Sequence, residues 1–354
     1  MSEVRVGIVG GGMMAQAAHI PCLAAMKNVR LEALCEPRAD LAASLAAKWH
    51  IPKTVPRLDE LLSLDLDAVL ILTRVELHKT QVLQALRAGK HVFVEKPLAM
   101  SAASIDEILP IAKASGKVLR VGTMKRHDRN VKQGLAKLAA GNPGKLLHAR
   151  MSAFIGAHWD ARLTATHPLL QSKETVAFDP KAVDAGPAWL SAPRDAAFYS
   201  FDNPYYGWLD TGVHLVNFIR YATGCEPTVA GSWKHGGMRT VQLDFAGSAG
   251  SLEFCVNFAM KRWEETTELH HERATLRIET PPPLDMQTAS RVELYREEGE
   301  NLETCVLGDN RRWAFAEQLE SFVAAVGAGR PDSTDLEHAR HDLVLIEAIH
   351  RNAP

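Results

Sequence analysis

A glycine-rich turn near the start of the chain constrains the fold more than any other feature. Gly10, Gly11 and Gly12 follow the β-branched run VRVGIV and precede MMAQAAHIPCLAAM, where Gln16 to Met26 can form a helix. Gly10, Gly12 and Ala15 satisfy GxGxx(G/A), with Met13 and Met14 inside the spacing. Only glycine permits the tight turn and lets backbone approach a pyrophosphate, which then sits on the N–H groups and positive end of the helix. The order strand, glycine turn, helix therefore predicts dinucleotide binding. Glu36, ending the second β-like run VRLEALC, stands where an acceptor for the adenosine ribose hydroxyls is expected. A carboxylate there favours NAD over the 2'-phosphate of NADP. Arg38 can stack on adenine, reach a 2'-phosphate or face solvent at a helix start, so NADP stays open as a second cofactor.

The pattern around the turn supports this reading. From Glu3 to about Val121, the runs VRVGIV, VRLEALC, LDAVLIL, KHVFV and KVLRVG alternate with helical segments such as 38–49 and 76–88, the latter stopped by Gly89. Strands alternating with helices predict a mostly parallel, doubly wound sheet of five strands. After Met124 the pattern changes. A strand-like run at 145–153 leads into a stretch from Ile155 to Gly207 rich in Pro, Asp, His and aromatics, the composition of a functional loop region. A helix over 209–221, stopped by Gly224, precedes the alternating runs TVQLDFA, SLEFCVNFAM, TTELHH, ATLRIE, RVELYR and ETCVL, which predict an antiparallel sheet. Amphipathic helices over 313–326 and 336–351 close the chain. The expected division is a dinucleotide-binding domain over 1–124 and an α+β substrate and oligomerisation domain over 125–354, whose last part is the helices within 313–351.

Composition excludes several function classes. Forty Lys and Arg against forty-two Asp and Glu give a net charge of -2, with no basic excess for a nucleic-acid backbone. Five cysteines, odd in number and never in CxxC spacing, suggest neither a disulfide framework nor a thiolate metal site, and a reducing cytoplasm fits. Residues 6–26 lack Asp, Glu, Lys and Arg, but four glycines, Gln16, His19 and Pro21 argue against a membrane helix, and MSEVRVGIVGGG does not read as a signal peptide. His270 and His271 adjoin in a strand pattern and so point to opposite faces, a poor metal pair. No catalytic metal is expected.

A second motif, Glu95-Lys96-Pro97, ends the run HVFV. Carboxyl ends of parallel strands face the cofactor crevice, which directs Lys96 toward the nicotinamide. Together with the glycine turn, the block AGKHVFVEKPLA resembles the glucose-fructose oxidoreductase / inositol dehydrogenase (Gfo/Idh/MocA) family. The likeness extends to TRVELH (Thr73 to His78), where Arg74 and Val75 replace the family's usual Pro and Asn, and to GWLDTGVHLVNFIRYATG. It implies an N-terminal Rossmann sheet and a C-terminal α+β domain with an open, mostly antiparallel sheet that forms a homodimer or homotetramer interface. It also implies cofactor contacts from Thr73, Arg74, His78, Glu95, Lys96 and Pro97, and a cis Lys96-Pro97 bond.

In LDTGVHLVNFIRY, Asp210, His214, Asn217 and Tyr221 fall on one helical stripe. By itself an Asp/His pair on a helix is more often structural. By resemblance, Asp210 and His214 with Lys96 form the catalytic group. A histidine exchanges a proton near neutral pH, a carboxylate tunes or orients it, and an ammonium stabilises a developing alkoxide. Arg126 is a candidate substrate contact or a domain-junction salt bridge, beside Lys125 and His127. Trp159, Arg162, His167, Tyr206 and Trp208 are candidates for stacking or hydrogen bonding to a polyol ring. The expected function is NAD(P)-dependent hydride transfer at a secondary hydroxyl or ketone of a sugar, inositol, aminosugar or related cyclic polyol. Two alternatives are a redox-neutral glycosidase-type enzyme using transient oxidation and a non-catalytic NAD-sensing regulator.

Overall fold

The computed structural model describes residues 3–156, 168–177, 179, 182–190, 195, 197–199, 203–257, 259–331 and 334–352. Contacts divide the chain into two compact units. The first comprises Met1–Thr123, Pro168–Asp210 and Gln318–Val344; the second comprises Met124–His167, Thr211–Glu317 and Leu345–Pro354.

The first unit is built on β1 (Val4–Val9), β2 (Val29–Cys35), β3 (Lys53–Val55), β4 (Ala68–Ile71), β5 (His91–Glu95) and β6 (Leu119–Gly122). Their order is β3-β2-β1-β4-β5-β6, and every pair is parallel. Six strands thus replace the expected five, because β3 has only three residues and too little alternation to register as a pattern. The chain runs to opposite sides of β1, toward β2 and toward β4, so the carboxyl end of β1 is the topological switch point where such sheets bind ligands. All four residues of β4 are buried, as a sheet covered by helices requires. Helices α1 (Ile20–Ala24), α2 (Ala39–Trp49), α3 (Leu58–Leu62), α4 (Val75–Arg87) and α5 (Ala102–Ser115) connect the strands. Ser101 caps α5 by accepting from Ser104 N–H at 3.1 Å, and Gly116 ends it at φ +63°.

Two later segments complete this unit, although the sequence pattern placed everything after residue 124 in a second block. The apolar side chains explain the difference. Tyr199 and Tyr205 are fully buried, and Phe322 of the helix Ala314–Ala328 packs edge-on against Phe93 of β5 with ring centres 5.7 Å apart. Asp184 binds Met100 N–H (2.9 Å) and Ser104 Oγ (2.8 Å).

The second unit holds α6 (Arg129–Ala140) and an eight-stranded sheet: β7 (Leu146–Gly156), β8 (Thr228–His235), β9 (Met238–Asp244), β10 (Ala249–Asn257), β11 (Glu264–His271), β12 (Ala274–Thr280), β13 (Arg291–Glu298) and β14 (Asn301–Leu307). The order is β14-β13-β12-β11-β7-β10-β9-β8, antiparallel except for β7 against β10. Strand β8 falls outside the expected runs, since Gly231 interrupts its alternation. α6 packs on β12 and β13, where Gly134 leaves room for Val292; a Cβ there would come within 2.5 Å of the Val292 side chain. α7 (Pro204–Gly207) leads through a π-helical turn, Trp208–Gly212, into α8 (Val213–Thr223). Gly224 ends α8 at φ +65°. Two helices follow the sheet, α9 (Ala314–Ala328) and α10 (Thr334–Arg351). No helix among the described residues is long and apolar enough to cross a membrane.

Candidate active site

The glycine turn leaves β1 at its switch-point end. Gly10 has φ +93°, and a Cβ there would lie 3.0 Å from the Leu72 carbonyl oxygen, so both conformation and space require glycine. A Cβ on Gly11 would meet Leu45 at 2.5 Å. At Gly12 no atom lies within 4 Å of the same position, and the backbone there borders open space. This arrangement fits a pyrophosphate: tight packing behind the turn and free approach in front. Met13 is exposed and Met14 half-buried beyond it, and Ala15 is fully buried. The predicted continuous helix is instead a π-helical turn, Ala15–His19, leading into α1, whose N1/N2 positions take Pro21.

Glu36 lies where expected and is 3% exposed. Its Oε2 accepts from Gly11 N–H at 2.8 Å, and Arg38 grips both oxygens, Nε to Oε1 at 2.7 Å and Nη2 to Oε2 at 2.9 Å. Burial alone would raise the Glu36 pKa. The Arg38 guanidinium and the N–H groups of Gly11 and Arg38 outweigh it and hold the carboxyl below its usual range. The carboxylate is therefore partly neutralised by Arg38, so its repulsion of a 2'-phosphate is weaker than residue 36 alone suggests.

The TRVELH loop begins at the end of β4. Arg74 is the N-cap of α4; its Nε binds Glu76 Oε1 at 2.6 Å and its Nη2 the Tyr199 carbonyl at 2.6 Å. Thr73 Oγ1 donates to Gln81. His78, 1% exposed, bridges two carbonyls: Nδ1 to Pro97 O at 2.7 Å and Nε2 to Thr73 O at 3.0 Å. Burial pushes its pKa down more than the two carbonyls raise it.

The Lys96-Pro97 peptide is cis, as expected. Glu95 points into the interior, accepting from Lys96 N–H at 3.1 Å and lying 2.6 Å from His19 Nε2. Lys96 extends to residue 210, its Nζ 2.6 Å from the Asp210 carbonyl and 3.2 Å from Oδ1. That carbonyl lies in the π-helical turn, where the backbone departs from regular α-helical spacing, a feature common at functional sites. Lys96 and Asp210 both belong to the first unit. His214, half-buried, opens α8 in the second.

The remaining candidates divide. Arg126 donates from Nε to Asn217 Oδ1 at 2.7 Å and lies 5.2 Å over the Tyr221 ring, so it is engaged with the polar stripe of α8. Lys125 pairs with buried Glu265, a partner without a sequence signal. Tyr206 is buried, its hydroxyl 3.3 Å from Glu76 Oε2, and Trp208 is 4% exposed, so both are packed rather than presented. Trp159, Arg162 and His167 lie outside the described residues. His270 faces His148 across strands, ring centres 6.0 Å apart, rather than pairing with His271. Among the described residues no group of three or more His, Cys, Asp or Glu can hold a metal ion.

Comparison with known proteins gives a family match. Residues 4–123 match the family model described as the oxidoreductase family, NAD-binding Rossmann fold, GFO_IDH_MocA. An inositol 2-dehydrogenase/D-chiro-inositol 3-dehydrogenase of Shouchella clausii is 37% identical over 147 residues, 40% of this chain and 42% of the relative; the match thus spans less than half of that protein. Among solved structures, a levoglucosan dehydrogenase in complex with NADH and levoglucosan superimposes with a TM-score of 0.76 at 17% identity, covering 99% of this chain and 98% of the other. A 3-ketoreductase from Actinomadura kijaniata in complex with NADP gives 0.73 at 20% identity with the same coverage. At these identities the likeness is one of fold.

Proposed function

We propose that the chain, whose residues 4–123 match the model of the Gfo/Idh/MocA oxidoreductase family, is an NAD(P)-dependent oxidoreductase acting on a secondary hydroxyl or ketone of a sugar, inositol, aminosugar or related cyclic polyol. The observation that carries the reading is Lys96, delivered by the carboxyl end of β5 and held on Asp210 by two contacts. When bound, the nicotinamide accepts or returns hydride. Lys96 then holds the reacting oxygen and stabilises negative charge developing on it. Asp210 keeps the ammonium in place, and His214 takes the hydroxyl proton during oxidation and returns it during reduction. Glu36 accepts from the ribose hydroxyls, which makes NAD the preferred cofactor, while Arg38 leaves NADP a weaker one. Phe154 and Trp233, exposed on the same face of the eight-stranded sheet, mark the face we assign to homodimer or homotetramer formation.

The test is a panel of sugars, cyclitols and their ketones assayed for NADH or NADPH formation or consumption, with mass analysis of any nucleotide that co-purifies. Reduction of NAD by at least one polyol supports the proposal. A chain that neither binds a dinucleotide nor turns over any member of the panel overturns it.

A further inference from the structure

Residues 168–177 form neither helix nor strand, yet they are fastened to the first unit at both walls of the dinucleotide crevice. On one side, Leu170 N–H donates to Gln16 Oε1 at 2.8 Å. Gln16 Nε2 donates to the Leu170 carbonyl at 3.2 Å and to the Gly11 carbonyl at 2.8 Å. Gln16 is buried in the first helical turn after the glycines. On the other side, Ser172 Oγ and Lys173 N–H bind the two carboxylate oxygens of Asp40, the latter at 2.8 Å, and Glu174 Oε2 accepts from Ala39 N–H at 2.7 Å. Ala39 and Asp40 open α2 immediately after Glu36-Pro37-Arg38. Five residues therefore span from the pyrophosphate turn to the carboxylate that meets the adenosine ribose.

We propose that residues 170–174 are a strap over the adenosine half of the bound dinucleotide, and that Glu174 makes this half of the site reject a 2'-phosphate. The proposal rests on the dinucleotide binding argued above and adds residues to it. A phosphate on the ribose hydroxyl that meets Glu36 lies among residues 37–40, where the first N–H groups of α2 supply the natural anion contact. Glu174 already occupies Ala39 N–H, placing a second carboxylate at the start of α2, three residues after Glu36 in the chain, where a phosphate would seek that N–H. Arg38, the cation that would otherwise compensate, is committed to Glu36. Release of the dinucleotide requires the Gln16, Asp40 and Ala39 attachments to open, so the strap slows cofactor exchange.

Binding, not turnover, tests this. NAD and NADP are titrated into wild type, Glu174→Gln, Asp40→Ala and Ser172→Ala, and NADH release is followed by stopped-flow displacement. Ser172→Ala removes an attachment from the strap side and leaves α2 intact, which guards against misfolding in Asp40→Ala. In Glu174→Gln the NADP affinity should rise by about tenfold while NAD changes within about threefold. In Asp40→Ala and Ser172→Ala, NADH release should accelerate several-fold to about tenfold. An unchanged NAD/NADP ratio together with unchanged release overturns the strap alone. Tighter binding of both dinucleotides on loosening the segment also overturns it, since the segment would then be filling the site. A wild-type chain that binds neither dinucleotide overturns the strap and the oxidoreductase reading together.

Discussion

The Lys96 ammonium rests on Asp210, donating to both the backbone carbonyl and the side-chain carboxylate of that residue. Replacing Lys96 with Ala removes the group assigned to the reacting oxygen while leaving the glycine turn and Glu36 untouched. Turnover should fall by a factor on the order of a hundred or more, with NAD binding changed only a few-fold. Steady-state kinetics beside an NAD titration check this, and a variant with full turnover removes the mechanism. Glu36 offers the complementary case. Glu36→Ser frees Arg38 from its bidentate partner, so the binding preference should move toward NADP by about tenfold. His78 gives a pH prediction. Burial sets its folded pKa below the ordinary imidazole value of ~6.5, so the unfolded chain binds the proton more readily. Its contribution to stability is whole above about pH 6.5 and is lost as the pH falls below that value, at no more than ~1.4 kcal/mol per pH unit for one group. His91, His148 and His350 shift in the same direction, so His78→Gln should remove only part of the acid-side loss. Urea midpoints across the neutral and mildly acidic range test it, and an unaltered pH profile in the variant refutes the assignment.

At the scale of elements, the first strand, its glycine turn and the EKP turn were legible because each is specified by neighbours in sequence. Gly10 shows how tight that local specification is. With φ +93° and the Leu72 carbonyl 3.0 Å from its missing Cβ, Gly10→Ala should destabilise the first unit by about 1–3 kcal/mol and weaken NAD binding, measurable by thermal denaturation and titration. Other elements were not legible for equally physical reasons. β3 is too short to show a period, and β8 carries Gly231 in its middle. The segment 209–221 reads as one helix, but its first part belongs to a π-turn, Trp208–Gly212, whose extra residue per turn shifts Asp210 relative to α8, which residue periodicity does not reveal. Within the site, Lys96, Glu36 and Asp210 could be read from motif and resemblance. Tyr206 could not be placed, because its partner Glu76 lies 130 residues away, and the strap was hidden for the same reason: Gln16 and Leu170 are 154 residues apart.

For the whole molecule, the change of pattern after Met124 marks where one sheet ends and the other begins, but not which residues each unit needs. The first unit takes Phe322 onto Phe93 and buries Tyr199 and Tyr205, and the Tyr205 hydroxyl donates to the Met100 carbonyl at 2.8 Å. The Asp335 carboxylate accepts from Val121 N–H on β6, the edge strand of the six-stranded sheet. A fragment of residues 1–124 lacks all of these groups. It would expose Phe93 and neighbouring apolar surface, leave the Met100 and Ser104 polar groups without Asp184, and leave β6 without its carboxylate. Each lost aromatic burial is worth roughly 1.5–3 kcal/mol, and each orphaned buried polar group a further ~1–3 kcal/mol. Those losses together approach the ~5–15 kcal/mol that holds a typical domain folded. The fragment should therefore melt without a sharp transition, or well below the intact chain, and bind NAD at least about tenfold more weakly, since it also lacks the strap at 170–174. Circular dichroism melts and NAD titrations of the fragment against the full chain decide the matter. A cooperative fragment that binds NAD as tightly as the whole chain would show that the Rossmann sheet stands by itself and that the later segments only decorate it.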